Sequence, residues 1–444
     1  EIGARPGVAA SISVDGNMIV SGISTFGGDV QVPDKIIHAG DTNTAIRFPE
    51  ADTVTFETAG FEQVRIDNDV QMFIEGDSKV TKLQIHREDS SIDADDVVGQ
   101  ITFTGRDSGG AGTQRVGAAI SAIASSAWDT GQSIGYAPTH LDFFTQNNTG
   151  SETTLTPRLR ISSGGRILIN NSTAENTMGL NAKVQTFGTD ASSSSVAIRR
   201  GSNDAQAAFL VLSKSRNASV GSRTILQNGD EVGNIFFVAD DGTDLISNTA
   251  AIKSQVNGAP GANDTPGNLS FWTTADGANT ATQRMTIDSN GYVTKPYTPA
   301  FRAGRSSSSQ SPGSGDAIIF NYVSGGTIHF NTGNHYNTSN GKFTAPVAGV
   351  YSFFTHVIYE GLSDGQSMID VFHMYINNTQ AGYSHKRGEY IANETGNGGY
   401  YTDTGDLNAV KLAVGDTVWV RQSIAGLTIH ANPTYCTFSG FLVG

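Results

Sequence analysis

Residues 349–357 read Gly349-Val350-Tyr351-Ser352-Phe353-Phe354-Thr355-His356-Val357, an extended pattern in which aromatic and aliphatic side chains recur. Met368–Ile376 alternates in a similar way. Alternation with a period of two is typical of strands that cover a core with one face, as in a β-sandwich. The last strand, within Tyr435–Val443, is apolar on both faces near its end. We therefore predict a C-terminal sandwich in which this strand is central and lies near an axis between subunits.

The composition changes near residue 300. Residues 301–444 hold 20 of the 38 aromatic residues, and their net charge is −2 (7 basic minus 9 acidic). The first 300 residues hold the other 18 aromatic residues, and their net charge is −12 (21 minus 33). Pro296, Pro299 and the serine run 306–309 mark the boundary. The sequence predicts a linker at 301–315 and a head domain at 316–444.

Short strand patterns recur through the first 300 residues. Leu141-Asp142-Phe143-Phe144-Thr145, followed by Arg158–Ile167, returns as Leu269-Ser270-Phe271-Trp272-Thr273, followed by Arg284–Val293. A shorter copy surrounds Phe56. Recurrence of this kind predicts a repeat architecture. We predict an N-terminal β segment at 1–75, a first repeat domain at 76–175 and a second at 176–300.

Each repeat has too few large apolar side chains to bury its own face. Stacking along an axis, or trimerisation around it, would supply the missing burial. The predicted fold class is all-β, an elongated trimeric stalk of repeated strand units followed by a jelly-roll head. Two segments, Arg115–Ser126 and Asp204–Leu212, fit either a helix or a strand.

Composition also excludes several functions. The formal charge of −14 argues against nucleic-acid binding, and no apolar run is long enough to cross a membrane. Cys436 is the single cysteine, so no disulfide forms within the chain. Because the chain begins with Glu1 rather than Met, we expect it to be a fragment, a processed product or the ordered part of something longer.

The repeats resemble elements of bacteriophage tail fibres. The motif at 284–291 and its copy at 160–165 are similar to a strand-turn element frequent in those proteins. The segments 27–36 and 45–49 resemble fibre proteins of marine phages, including those of cyanobacteria. This resemblance implies an extracellular virion component. Its N-terminal side would attach to other tail or baseplate proteins.

The head resembles a different family. Asn331, Tyr336, Phe343, Gly349–Phe353, Gly415–Val420 and Phe438–Val443 resemble the globular head of the recognition subunit of the first complement component. That family shares the jelly roll of tumour necrosis factor and is almost always homotrimeric. We therefore predict packing in the core or at the trimer axis for a set of aromatic residues: Tyr351, Phe353, Trp419, Tyr435, Phe438 and Phe441.

No catalytic motif is present. Adjacent carboxylates occur at Asp95/Asp96, Asp240/Asp241 and Asp403/Asp406, and such pairs in turns usually have a capping role. The segment Asp67-Asn68-Asp69 comes nearest to a Ca²⁺ loop and lacks its full ligand set. We predict that the protein is not an enzyme and has no cofactor, with a structural Ca²⁺ as the open alternative.

Three long head loops are candidates for recognition: Glu360–Gln366, Arg387–Tyr401 and Ser423–Thr434. Tyrosine and asparagine offer flat faces and amides, which suit a glycan or protein receptor. An ordinary connecting loop is the alternative. The predicted receptor-binding residues are Tyr390, Asn393, Asn397, Tyr400, Tyr401, Leu427, His430 and Asn432.

Together these features predict a structural and adhesive protein, the distal part of a trimeric phage tail fibre that binds a host cell-surface glycan or protein. Three alternatives remain open. The first is a tailspike-type polysaccharide depolymerase, the second a secreted lectin-like protein, and the third a fibre attached to the capsid.

Overall fold

The computed structural model describes residues 10–12, 18–20, 25–66, 72–74, 83–106, 114–128, 136–146, 155–324, 326–362, 370–385 and 399–444. Every regular element in these ranges is a β-strand. The predicted all-β class is therefore confirmed. Two compact units make up the chain: residues 1–175 with 182–196, and residues 176–181 with 197–444.

The first unit contains a hairpin and two meandering sheets. The hairpin pairs β1 (Ala10–Ile12) with β2 (Met18–Val20). The next sheet comprises β3 (Lys35–His38), β4 (Asp41–Arg47), β5 (Val54–Thr58), β6 (Phe61–Ile66) and β7 (Met72–Ile74), all antiparallel and in chain order. The following sheet comprises β8 (Val97–Arg106), β9 (Gln114–Ala124), β10 (Thr139–Thr145), β11 (Thr156–Ile161), β12 (Ile167–Ile169) and β13 (Val184–Thr186), with β13 added in parallel.

The second unit begins with a third meander. It comprises β14 (Glu231–Ala239), β15 (Ser247–Val256), β16 (Gly267–Thr274), β17 (Ala281–Ile287) and β18 (Val293–Thr294). Of the two segments that the sequence left open between helix and strand, Arg115–Ser126 lies almost wholly in β9. The other, Asp204–Leu212, is in neither: it precedes β14 and joins no sheet.

The repeat predicted from the sequence is visible in the register of the three meanders. Phe56, Phe143 and Phe271 each lie in the third strand of their sheet, and a bulge follows each of them directly. The second and third sheets also share a tight turn between their fourth and fifth strands. Gly165 and Gly291 occupy it with φ of 69° and 83°, a conformation that side chains on Cβ disfavour.

The two faces of these sheets differ in an unusual way. The residue before each repeated phenylalanine is polar and buried: Thr55, Asp142 and Ser270. Asp142 is held by two charge-assisted hydrogen bonds from Arg160, at 2.7 and 2.6 Å. The phenylalanines themselves are on the opposite face, which is more exposed. In these meanders the buried face therefore carries these polar residues together with small apolar ones such as Ala119 and Ala251, and the face with the large apolar side chains is more open.

The head is a two-sheet sandwich. One sheet contains β20 (Phe330–Thr332), β19 (Ala300–Gly304), β29 (Thr437–Leu442), β23 (Gly349–Leu362) and β26 (Gly399–Leu412), and β28 (Thr428–Ile429) pairs with β23. The other contains β21 (Tyr336–Asn337), β22 (Lys342–Thr344), β27 (Thr417–Gln422), β24 (Phe372–Ile376) and β25 (Thr379–His385), and the end of β25 also pairs with β26. One apolar cluster fills the space between the sheets.

The head begins earlier than predicted. The predicted linker at 301–315 is wrong, because β19 pairs with β29 and its Phe301 is 1% exposed. The Phe301 ring stacks on Tyr336 and Phe343 at centroid distances of 4.7 and 5.2 Å. The short apolar pattern of β19 stands between a proline pair and a serine run, and these turn signals concealed it.

The predicted central position of the last strand is confirmed, since β29 lies between β19 and β23. Phe438 is fully buried, as are the predicted residues Tyr351 and Phe353, and Trp419 is nearly so. Tyr435 and Phe441 are 53% and 44% exposed, so their placement in the core of this chain is wrong. Phe441 points away from the sandwich because neighbouring residues of a strand alternate between faces.

Candidate functional site

A cluster of polar and aromatic side chains forms at one edge of the head, where β23 ends, β26 begins and β28 pairs with β23. Glu360 stands opposite Thr428 in the β23–β28 pairing, which places His430 nearby. A backbone bridge between Gln310 and Ile429 brings in the segment before it. We call Ser309, Glu360, Tyr400 and His430 the His430 cluster.

Glu360 is the centre of the His430 cluster. Its Oε2 lies 2.5 Å from Nδ1 of His430, and its Oε1 accepts a hydrogen bond from the Ser309 hydroxyl. The Tyr400 ring meets the His430 ring edge-on, with centroids 5.6 Å apart and an interplanar angle of 82°. Tyr400 is 44% exposed, and Ser309 is exposed as well. The cluster therefore offers an oriented aromatic face beside fixed polar groups.

The electrostatics favour an ionised carboxylate at this position. Partial burial opposes ionisation of Glu360, but the hydrogen bonds from Ser309 and His430 outweigh it and hold the pKa of Glu360 below its ordinary value. An ionised Glu360 with both oxygens engaged keeps the imidazole in one orientation. The fixed His430 ring in turn orients the Tyr400 ring through their edge-on contact.

Some of the predicted receptor residues coincide with this cluster and others do not. The structure brings Tyr400 and His430 together, although they come from two different loops. Tyr390, Asn393 and Asn397 lie outside the described residues. Sequence reasoning missed Ser309, because it fell within the predicted linker. Glu360 stood at the start of a loop that was identified, but no signal distinguished it.

Two predicted receptor residues are corrected by their burial. Tyr401 is 5% exposed and Leu427 is 1% exposed, so neither side chain reaches a ligand at the surface. Tyr401 follows Tyr400 in a strand, and alternation turns it inward. Leu427 belongs to the apolar cluster of the sandwich. Asn432 is half-buried, and its Oδ1 accepts a hydrogen bond from the Thr434 backbone, which caps a turn.

A second concave surface lies on the outer face of the sheet that contains β29. Its cavity has a volume of about 410 Å³. Phe354 borders it and stacks on the exposed Phe441, with ring centroids 6.4 Å apart. Arg302 also borders it, and its Nε atom is buried without a hydrogen-bond partner. Exposed rings beside a guanidinium group are typical of a surface that contacts another protein.

The carboxylate pairs considered for catalysis have structural surroundings. Asp403 is buried between the sheets, whereas Asp406 borders the outer cavity, so the two point to opposite faces of β26. Asp241 accepts backbone hydrogen bonds from Thr243 and Asp244 within its own turn. Asp96 pairs with Arg87 at 3.2 Å. None of these three pairs shows two carboxylates facing each other across a groove, as glycoside hydrolysis requires.

The described ranges contain neither a group of side chains that could hold a metal ion nor a membrane-spanning helix. There, no group of three or more histidine, cysteine, aspartate or glutamate side chains is placed to hold a metal ion. The segment Asp67-Asn68-Asp69 lies outside those ranges. No helix long and apolar enough to cross a bilayer occurs in the part of the chain that the structure describes.

Several solved structures resemble parts of the chain at low identity. Two are carboxy-terminal domains of the bacteriophage T5 L-shaped tail fibre, one with its intramolecular chaperone domain. They are 14% and 12% identical, have TM-scores of 0.41 and 0.42, and cover 50% and 77% of this chain and 88% and 91% of theirs. The globular domain of zebrafish complement 1qA is 17% identical, has a TM-score of 0.21 and covers 33% of this chain and 98% of its own.

Similarity in sequence concentrates in the head. Complement C1q tumor necrosis factor-related protein 3 of human and of mouse is 33% identical over 122 residues, which is 26% of this chain. The match spans 42% of the length of those relatives. The C1q domain family matches residues 300–443, the span over which the structure forms the sandwich. The C-terminal part of the chain is therefore a C1q domain with a jelly roll like that of tumour necrosis factor.

Proposed function

We propose that this protein is a structural and adhesive fibre, the distal part of a homotrimeric phage tail fibre whose head binds a host cell surface. One observation carries the proposal. Each of the three meandering sheets has a row of large apolar side chains on one face, and every member of the row is half-buried or exposed. A protein that worked as a single chain would not leave such rows exposed to water.

The rows follow the register of the sheets, with one residue from each of the first four strands. In every sheet the first two positions are isoleucine, the third is the repeated phenylalanine, and the fourth is valine, leucine or methionine. The rows are Ile36, Ile46, Phe56 and Val64; Ile101, Ile120, Phe143 and Leu159; and Ile235, Ile252, Phe271 and Met285. The end members Ile36, Ile101 and Ile235 are 52%, 43% and 43% exposed.

Association of identical chains would cover these rows. Burial of apolar area stabilises by roughly 25 cal/mol per Å², so three rows per chain supply a large driving force. The resemblance of the head to homotrimeric C1q heads supports three copies rather than two. Phe354, Tyr435 and Phe441, exposed on the outer face of the head, would then pack between subunits, as predicted for Tyr435 and Phe441.

The His430 cluster supports the adhesive part of the proposal. Loops and edges on a rigid scaffold carry recognition more often than the scaffold does. An exposed tyrosine ring fixed beside polar groups suits stacking against a sugar or contact with a protein loop. In a trimer this site is present three times, so weak single contacts combine through avidity. The tail-fibre resemblance of the repeats supports a place in the virion, with the N-terminal side joined to other tail proteins.

The test measures mass and adhesion on the full chain. We expect light scattering at micromolar concentration to give about three times the chain mass of 46.7 kDa. We expect Tyr400→Ala to weaken binding to host cells, because each stacked ring contributes on the order of 1 kcal/mol and three sites act together. Tyr292→Ala, an exposed tyrosine in the repeat region, is the matched control.

A folded monomer would contradict the fibre architecture. A trimer in which Tyr400→Ala and Tyr292→Ala bind cells as well as the unchanged protein would contradict the position of the site. In that case the other candidates of the Arg387–Tyr401 loop, Tyr390, Asn393 and Asn397, become the next variants to make.

A further inference from the structure

A segment without sheet partners precedes the third meander. From Ala207 to Ser215 the chain runs without a bend or turn, and its backbone forms no hydrogen bond with the rest of the described chain. Phe209, Leu210 and Val211 within it are 68%, 71% and 74% exposed. Such a segment combines open backbone donors and acceptors with exposed apolar side chains.

An equivalent segment precedes the second meander. Leu83–Glu88 also runs without a bend, and within the described ranges its backbone forms no hydrogen bond. Leu83 and Ile85 are largely exposed. The same arrangement therefore occurs twice, at the same place relative to the first strand of a sheet.

A glycine in each first strand fixes how the segment crosses it. A Cβ atom built on Gly99 of β8 would lie 2.9 Å from Cγ2 of Ile85, and one built on Gly233 of β14 would lie 2.7 Å from Cβ of Leu212. No side chain larger than hydrogen fits at either position. Because each segment passes so close to the glycine, it packs against the first strand of its own sheet.

An ion pair holds the end of each segment. Arg87 bonds to Asp89 at 2.7 Å and to Asp96 at 3.2 Å. Arg216 makes two hydrogen bonds to Asp230, at 2.6 and 2.8 Å. Asp96 and Asp230 occupy equivalent positions just before β8 and β14. Each segment is thus anchored at one end while its backbone stays unpaired.

Each sheet also has one long free edge. Within the described residues, β8 and β14 pair with another strand on one side only, whereas the strands at the opposite edges, β13 and β18, are short. An open edge of this length is a template for another strand. In the described part of the chain, two repeats therefore contain both an extended segment outside any sheet and a sheet edge with no neighbouring strand.

We propose that Leu83–Glu88 and Ala207–Ser215 are strands supplied in trans, each pairing with the free edge of β8 or β14 in a second copy of this chain. The pairing is β-strand addition, in which backbone hydrogen bonds give affinity and alternate side chains give specificity. This inference rests on the proposed homo-oligomer and states which surfaces join its chains.

The repetition identifies the partner. A partner must offer a strand edge to each of the two segments, and a second copy of this chain carries both edges, β8 and β14. The apolar runs Leu83–Ile85 and Phe209–Leu212 contain no charged residue, although the first 300 residues have a net charge of −12. Like chains can therefore meet at these segments without charge repulsion at the contact.

Hydrogen exchange on the full chain tests the pairing. The amides of Ala207–Ser215 would exchange as fast as those of an unstructured peptide in the single chain. In the assembled protein we expect these amides, and those of Leu83–Glu88, to exchange at about one-hundredth of that rate or below. Exchange at the unstructured rate in an assembled trimer would overturn this inference and leave the proposed function intact.

A matched pair of variants tests the burial. Val211 and Val414 are exposed to similar extents, 74% and 67%, so replacement by aspartate disturbs the fold of the single chain at neither position. We expect Val211→Asp to weaken chain association roughly 100-fold, because a carboxylate would be buried unpaired, and Val414→Asp to leave it unchanged. Equal association of the two variants would overturn the inference. If the unchanged protein is itself monomeric, it is the proposed function that fails.

Discussion

The repeat region and the head are both built from β-strands, but they differ in how they bury their apolar side chains. Eleven of the twelve largest fully buried side chains of the described chain lie in the head, and Leu168 alone lies in the repeats. The head closes two sheets over one aromatic cluster within a single chain. The meanders are single sheets that bury polar residues and leave apolar rows open. The head therefore has an apolar core within one chain, whereas we propose that neighbouring chains supply the burial that the repeats lack.

The largest effect that would sharpen this comparison is expected inside the head. Phe438 is fully buried and contacts the rings of Phe301, Phe320 and Tyr336. We expect Phe438→Ala to lower the free energy of unfolding of the head by about 3–5 kcal/mol per chain. Thermal melting followed at the head tryptophan Trp419 measures it.

Phe441→Ala is the control for that variant, since Phe441 is exposed in the single chain. Its effect on the head is expected to be smaller and to depend on protein concentration. If both variants lowered the free energy of unfolding equally and independently of protein concentration, then Phe438 and Phe441 would not differ in burial as the fold implies.

An intermediate effect is expected in the repeats at acid pH. Hydrogen bonds from the Arg216 side chain and the Gln227 backbone hold the pKa of Asp230 far below its ordinary value. In the unfolded chain the pKa of this carboxyl is near 4. Because its pKa is lower in the folded protein, ionised Asp230 stabilises the fold at pH values above about 4, and this stabilisation is lost as the pH falls toward the folded-state pKa. We expect Asp230→Asn to be less stable at neutral pH and to lose less stability on acidification. Denaturation of both proteins between about pH 5 and pH 2 measures this, and parallel pH profiles would contradict it.

The smallest effect is expected at Cys436. Burial in the head raises the pKa of its thiol to about 11, so little thiolate is present near neutral pH. We expect Cys436 to react slowly with a thiol reagent in the native protein and rapidly once the head unfolds. Val211→Asp, which acts on the repeats, is expected to leave this rate unchanged. Faster labelling in that variant would show that the head depends on assembly of the repeats.

The period-two pattern was enough to predict the all-β class and the central position of the last strand. It also located the repeat, because the residues around Phe143 and Phe271 match in kind and spacing. It failed at Phe301, where three apolar positions between prolines and serines were too few to indicate a strand. Pairing with β29, far along the chain, makes that segment a strand.

Residue type did not determine the site. The sequence marked Tyr400 and Tyr401 equally, and alternation along β26 exposes the first and buries the second. Ser309 and Glu360 reach His430 only because β28 pairs with β23, a contact between residues about 70 positions apart.

The sequence by itself determined the element type, the repeat and the C1q-like pattern of the head, because these depend on local spacing of apolar and turn residues. The tertiary structure alone decided which faces close within the chain and which stay open. Register places the polar residues of each meander on its buried face and the Ile-Ile-Phe rows on the exposed one. Such long-range pairings set burial, and we propose that neighbouring chains cover the apolar surface that these pairings leave open.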